Sequence, residues 1–174
     1  MTHLPSLRAI VAMILSLQPG MRREQATSYA RIIQRGSVEA ALVVALIEHE
    51  SEWKPTAVSA DQEDYGLGQI RARFIGACRQ GAGPACDAVK AMLLDGPTNL
   101  RMTIAALKRN EDMCRKITNH HSARETISAY AGLSKPSKHQ WCGLAFRRGR
   151  WQAMPLHPGV AEVLRLRARL SRFR

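Results

Sequence analysis

The chain has 174 residues, 45% of them apolar and 23% charged, which suits one domain with its own core and excludes a disordered or fibrous protein. A formal net charge of +12 calls for an anionic environment or partner, although a solvated arginine-rich surface accounts for it equally well. No helix-turn-helix signature, zinc-finger spacing or basic motif interleaved with aromatics points to nucleic acid, and no apolar stretch is long enough to cross a membrane as a helix.

In chain order, Leu4, Leu7, Ile10, Val11, Ile14 and Leu17 recur at helical spacing, which predicts an amphipathic core helix over about 5–17. The run from Ala9 to Leu17 has the length of a signal-peptide core, but no small-x-small cleavage site follows and the core helix is the preferred reading. Pro19-Gly20 ends it. A second helix is expected over about 23–34, stopping near Gly36, and a third over about 38–51 with Ser37 as its N-cap and Glu39 in its first turn. The third helix is apolar nearly all round through Leu42, Val43, Val44, Leu46 and Ile47, as a centrally buried helix is. Residues 54–66 carry Pro, Ser, Asp and Gly and read as a loop or small hairpin. Further helices are expected at about 67–78, 86–94, 98–117, 122–131 and 158–172. The last places Val163, Leu166, Leu170 and Phe173 on one stripe, with Arg165, Arg167, Arg169 and Arg172 mostly off it as a solvated basic face.

Four cysteines without a C-x-x-C pair favour disulfides over a zinc site in an oxidising compartment. Three pairings are open. Cys78 and Cys86 flank the turn-rich Gly81-Ala82-Gly83-Pro84, so local closure is the simplest first pair and leaves Cys114 with Cys142.

Chemistry enters at the end of the third helix, where Glu48-His49-Glu50 follows the apolar run abruptly. A carboxyl on an apolar wall is desolvated and keeps its proton to higher pH. Glycosidic cleavage needs such an acid to protonate the leaving oxygen, and Glu50, on the turn after Leu46 and Ile47, is placed to supply it. Asp64, fourteen residues on, could return over the helix end as a second carboxylate that stabilises an oxocarbenium-like transition state or acts on water. A turn residue bonded to its own loop is the competing reading of Asp64. Glu48 is expected in an ion pair, His49 as a packing or capping residue, and Trp53 as a core aromatic with a satisfied polar tip. Glu52 has no catalytic reading, and His120-His121 lacks the partner spacing of a metal site.

The same segment resembles the catalytic region of goose-type lysozymes and of the soluble lytic transglycosylase family. Glu50-Ser51 matches the family's Glu-Ser, Ala57-Val58-Ser59 its A-x-S, and Gly66-Leu67-Gly68-Gln69-Ile70 its G-L-M-Q-I with Gly68 in place of Met. Asn99-Leu100-Arg101 resembles its N-I-R, and Ala129-Tyr130-Ala131-Gly132 its A-Y-N-A-G without the Asn. Thr103 stands where the family has Gly, Arg71 where an apolar residue often sits, and Asp64-Tyr65-Gly66 resembles the D-Y-G of chicken-type lysozymes. The ordered motifs cover about residues 25–135.

The resemblance implies a single lysozyme-like domain over 1–174, α+β but predominantly α, with a small β-hairpin or loop lobe and a glycan-binding cleft. It implies cleavage of the β-1,4 bond between N-acetylmuramic acid and N-acetylglucosamine in peptidoglycan, by transglycosylation or, with Asp64, by hydrolysis. Glu50 would be the acid and then the base. Ser51, Ser59, Tyr65 and Gln69 would line the cleft and contact substrate, and the Tyr130 hydroxyl would help hold Glu50. No metal or organic cofactor and no nucleic acid is implied. A monomer in the periplasm, in the cell envelope or secreted is expected. A non-enzymatic cationic binder on the same scaffold is the rival from another class.

Overall fold

The computed structural model describes residues 5–132 and 140–173; Leu4 of the first helical stripe lies outside them. Helix α1 (Leu7–Leu17) begins where the Ser6 hydroxyl accepts the Ala9 amide at 3.1 Å, satisfying one of the amides that every helix start leaves open. Its Ile10, Val11, Met13 and Ile14 are buried, so the apolar run of residues 9–17 is spent in the core. Helix α2 (Arg23–Arg35) buries Ala26, Tyr29, Ala30 and Ile33, the i, i+3, i+4, i+7 face of an amphipathic helix.

Both pack on α3 (Ala40–Ser51), which is buried on every side from Ala40 through Ile47. The start of α3 differs from expectation. Glu39, not Ser37, is the capping position, and no side chain bonds the first-turn amides. The Glu39 carboxylate instead takes the Arg167 guanidinium at 2.8 Å, tying the helix start to the last helix, α7 (Pro158–Leu170). Helix α7 closes the core with Val160, Val163 and Leu170, and Leu166 and Phe173 pack beside them. The predicted apolar stripe is therefore the packed face.

After α3 the chain turns through Glu52 and Trp53, both at positive φ, into a small antiparallel hairpin. Strands β1 (Asp64–Tyr65) and β2 (Ile70–Arg71) pair with Asp64 opposite Arg71, and Val58 bridges to Tyr65 from the preceding loop. A helix expected over 67–78 is absent. Two short 3-10 turns, Ala72–Phe74 and Gly76–Gln80, follow β2 instead, and Gly76 at the start of the second, at φ 45, is one reason no α-helix propagates. Helix α4 (Pro84–Leu93) starts on a proline, as helix starts tolerate. The Cys78–Cys86 disulfide closes the loop before it. Helix α5 (Gly96–Thr118) is capped by Asp95, whose carboxylate accepts the Thr98 amide at 2.9 Å. Helix α6 (Ala123–Tyr130) starts on a capping box in which Ser122 and Glu125 bond each other's backbone amides.

Between α6 and α7 lies a three-stranded antiparallel meander that no pattern predicted: β3 (Gln140–Trp141), β4 (Leu144–Arg147) and β5 (Arg150–Ala153). Both its turns place two residues at positive φ, Cys142-Gly143 and Arg148-Gly149, the conformation of two-residue hairpin turns that Asn-Gly usually signals. The Cys114–Cys142 disulfide fastens the meander to α5. Both disulfides follow the pairing expected from the sequence.

One buried side chain joins the first hairpin to the helices. Asn99 on α5 is fully buried. Its Nδ2 donates to the carbonyls of Tyr65 and Leu93, each at 2.8 Å. Its Oδ1 accepts the Gly68 amide at 2.8 Å and the Thr103 hydroxyl at 3.3 Å. A Cβ on Gly66 (φ 74) would come within 2.2 Å of the Leu93 carbonyl and 2.4 Å of Asn99 Nδ2, so only glycine fits there. Replacing Asn99 by Ala strands three buried backbone groups at about 1–3 kcal/mol each. We expect Asn99→Ala to lower stability by about 3 kcal/mol or more, read from the urea midpoint, and to lose hydrogen-exchange protection first at the Gly68 amide.

Candidate active site

Consecutive residues on a helix point about 100° apart, and the polar triplet ending α3 is dispersed accordingly. Glu48 faces α1, where the Gln18 amide donates to both carboxylate oxygens at 3.2 and 3.0 Å; it is hydrogen-bonded rather than ion-paired as expected. His49 faces α7. Its Nδ1 lies 3.5 Å from Glu162, and its ring packs where a Cβ on Gly159 would come within 3.0 Å of Nε2.

Glu50 takes the third direction. It is half-buried, and no cation among the described residues pairs with it. Burial, and after it the nearby charge of Asp64, pushes its carboxyl up to about 7. A carboxylic acid that still holds its proton near neutrality can donate it to a leaving group.

Asp64 is held very differently. As the cross-strand partner of Arg71 it accepts both arms of the guanidinium, Nε to Oδ1 and Nη2 to Oδ2, each at 2.8 Å. The same bond holds the Arg71 guanidinium above its ordinary range. The two carboxylates are thus neighbours with opposite environments: one desolvated without a cation, the other locked in a two-pronged ion pair.

Tyr130 ends α6 with its hydroxyl donating to the Gly68 carbonyl at 2.6 Å. Burial, then the charges of Glu50 and Asp64, push the phenol up, while a hydrogen bond with Thr103 pulls it down. The hydroxyl proton therefore serves the hairpin backbone, and the phenol feels Glu50 through its charge. A Cβ on Gly68 would come within 2.0 Å of Thr103 Oγ1 and 2.8 Å of the Tyr130 hydroxyl. The two departures from the resemblance, Gly68 and Thr103, therefore meet: the space a side chain on the loop would need is occupied by the helix.

The other residues expected to line the cleft make hydrogen bonds within the chain. Ser51 is buried and donates back to the Ile47 carbonyl at 3.3 Å. Ser59 donates to Asp61 at 2.5 Å and accepts the Glu63 and Asp64 amides. Gln69, itself at φ 48, donates to the carbonyls of Gly66 and Ala57, and the buried Tyr65 donates to Gln62. Trp53 is buried against Tyr29 with ring centroids 5.7 Å apart, but its indole N–H finds no acceptor among the described residues, contrary to the satisfied tip expected. Asn99, Arg71 and Thr103 were not read as site-forming. Asn99 was legible only as a helix-start motif, and Arg71 and Thr103 only as departures from a pattern.

Two hollows of about 320 and 350 Å³ lie elsewhere, one between the ends of α1 and α7, the other between α6, the meander and the start of α7. Neither is lined by Glu50. Among the described residues no three His, Cys, Asp or Glu side chains gather as metal ligands, and no helix is long and apolar enough to cross a membrane.

Residues 28–152 match the family model described as the transglycosylase SLT domain. Comparison with curated proteins and with solved structures gives no significant match.

Two expectations follow from the geometry. The Glu50 carboxyl binds its proton more tightly folded than unfolded, so between its ordinary value of 4.5 and about 7 the native state holds the extra proton and stability falls as pH rises. Glu50→Gln removes that penalty. Its stability should match the parent near pH 4 and exceed it increasingly up to pH 7, by on the order of 2 kcal/mol, read from denaturant midpoints; a constant difference across this range would contradict the raised value. Separately, Gly68→Ala should be destabilising by itself and partly rescued by Thr103→Ala, with a coupling of about 1 kcal/mol or more in a double-mutant cycle.

Proposed function

We propose that this chain, which belongs to the transglycosylase SLT domain family, cleaves the β-1,4 bond between N-acetylmuramic acid and N-acetylglucosamine with Glu50 as its acid and base. The family comprises peptidoglycan lytic transglycosylases, so the chain is a cell-wall glycosidase in general terms. Its two disulfides fit an extracytoplasmic location. We place the protein in the periplasm, in the cell envelope or outside the cell, working as a monomer.

The observation that carries the reading is the placement of Glu50, half-buried at the end of an apolar helix with no cation among the described residues paired to it, which pushes its carboxyl up to about 7. Protonated, it gives its proton to the glycosidic oxygen as the bond to the muramic anomeric carbon breaks, and the N-acetylglucosamine end leaves as an alcohol. The resulting carboxylate then takes the proton of the muramic 6-hydroxyl as that oxygen closes on the anomeric carbon. The product is a 1,6-anhydro end, Glu50 regains its proton, and no water is consumed.

One carboxylate suffices for this sequence, and Asp64 supports it from its ion pair as a fixed negative charge beside the developing oxocarbenium. The Arg71 clamp favours transglycosylation, because it occupies oxygens that a water-activating carboxylate would need free. The reach of the Asp64 charge to Glu50 is the observation on the side of hydrolysis, the second reading. The net charge of +12 assists retention on an anionic wall and weakens with salt.

Digestion of purified sacculi followed by mass analysis of the released muropeptides tests the proposal. We expect anhydro ends. Reducing ends would assign hydrolysis, and no release by the folded, oxidised protein would end the enzymatic reading of this site. Glu50→Gln should lose about 10²–10⁴ in turnover while still binding sacculi. The parent's rate should fall as pH rises through about 7, where the acid loses its proton.

A further inference from the structure

The tip of the meander is built against local preference. Strands β4 and β5 pair Arg147 directly opposite Arg150, a like-charge cross-strand pair that weakens a hairpin. Arg148 occupies the first turn position at φ 51, a left-handed conformation that Asn or Gly adopts far more readily. All three arginines are exposed, and none has a carboxylate partner among the described residues. One register step inward, Phe146 faces Trp151 with ring centroids 5.3 Å apart and planes at 61°. Phe146 is 40% exposed, an aromatic surface left open beside the cations.

The base of the same hairpin is firmly anchored. Leu144 and Ala145 are buried, the Met154 amide donates to the Gly143 carbonyl at 3.0 Å, Arg124 donates to the Met154 carbonyl, and Cys142 is bonded to Cys114 on α5. A rigid base carries a tip that concentrates cations and aromatics at a conformational cost. The six residues Phe146-Arg147-Arg148-Gly149-Arg150-Trp151 are the aromatic-interleaved basic motif that the sequence reading did not find.

We infer that this tip is a second, non-catalytic docking surface for the peptidoglycan strand, its aromatic pair covering sugar-ring faces and its guanidinium groups taking the carboxylates of the peptide stems. Guanidinium forks match carboxylates in two-pronged geometry, and exposed aromatic faces suit the apolar C–H faces of pyranose rings. A glycan strand bearing acidic peptides offers both along one polymer. Single-stranded nucleic acid also combines ring faces with anions. The wall polymer is favoured because it is the substrate class of the family to which the chain belongs. The inference thus rests on the reading of the active site as acting on that polymer.

The experiment compares the full-length protein with Arg148→Asn and with the triple variant Arg147→Gln, Arg148→Asn, Arg150→Gln. Each is measured in co-sedimentation with insoluble sacculi, using Glu50→Gln backgrounds to prevent cleavage, and in turnover of a soluble peptide-free glycan fragment. The triple variant should lose about tenfold in sacculus binding at low salt and keep its turnover on the soluble fragment within about twofold. Arg148→Asn should raise the thermal midpoint, because it relieves the turn, and yet bind sacculi less; a purely structural arginine would not separate the two readouts.

Unchanged sacculus binding in the triple variant, or an equal fall on the soluble fragment, overturns the docking surface. So does a single-stranded oligonucleotide that strips the parent from sacculi at equimolar concentration. If the parent cuts neither substrate, the catalytic reading of Glu50 fails, while the sedimentation comparison still decides the role of the tip.

Discussion

A single buried amide governs the arrangement of the active-site region. Asn99 makes four hydrogen bonds with its one side chain, and all its partners are buried groups. Because it bonds Tyr65 and Gly68 at once, it fixes both ends of the β1–β2 turn on α5 and thereby the height of Asp64 relative to the end of α3. The close approach this demands excludes a side chain at Gly66 and leaves room at Gly68 only for what Thr103 and Tyr130 already fill. Such networks are worth more than their separate bonds when every member is satisfied, and this one has no redundant member to absorb a loss.

On that frame the protein separates two like groups by environment alone. Glu50 sits on the end of a helix that is apolar for two full turns, so its charge is penalised; Asp64 sits opposite an arginine on a paired strand, so its charge is compensated. Desolvation without a cation keeps the proton on Glu50 to higher pH. Here the difference arises from secondary structure: a helix presents its terminal residue to whatever covers it, whereas a two-residue strand pair places facing side chains together by register.

The sequence pattern gave all seven α-helices of the described residues to within a few residues, because burying one face of an amphipathic segment is a strong and local signal. The disulfides followed from count and spacing, and Glu50 from the break between an apolar run and a polar triplet. Less legible were direction and closure. Ser51, Ser59 and Gln69 have the right chemistry for a glycan site, but a sequence does not say that their polar atoms turn back to nearby backbone and loop groups. Segment 67–78 has helix-forming residues, yet the Asn99 attachment, seated 20 or more residues further on, commits its start to a hairpin. The meander escaped notice because its turns use Cys-Gly and Arg-Gly where Asn-Gly or Asp-Gly is the recognisable signal. Leu100, Ile104 and Leu107 betray the buried face of α5, but nothing in their spacing reveals that the lone Asn99 beside them is its most heavily used residue.

Helix α5 is attached to both β elements, by Asn99 near its start and by Cys114 fifteen positions later. A straight helix rises 1.5 Å per residue, which sets those two attachments about 22 Å apart along its axis. The helix therefore acts as a spacer bar between the first hairpin and the base of the meander. Neither β element can slide along α5 without breaking a covalent bond or unpairing buried polar groups, so the two are carried as parts of one rigid body.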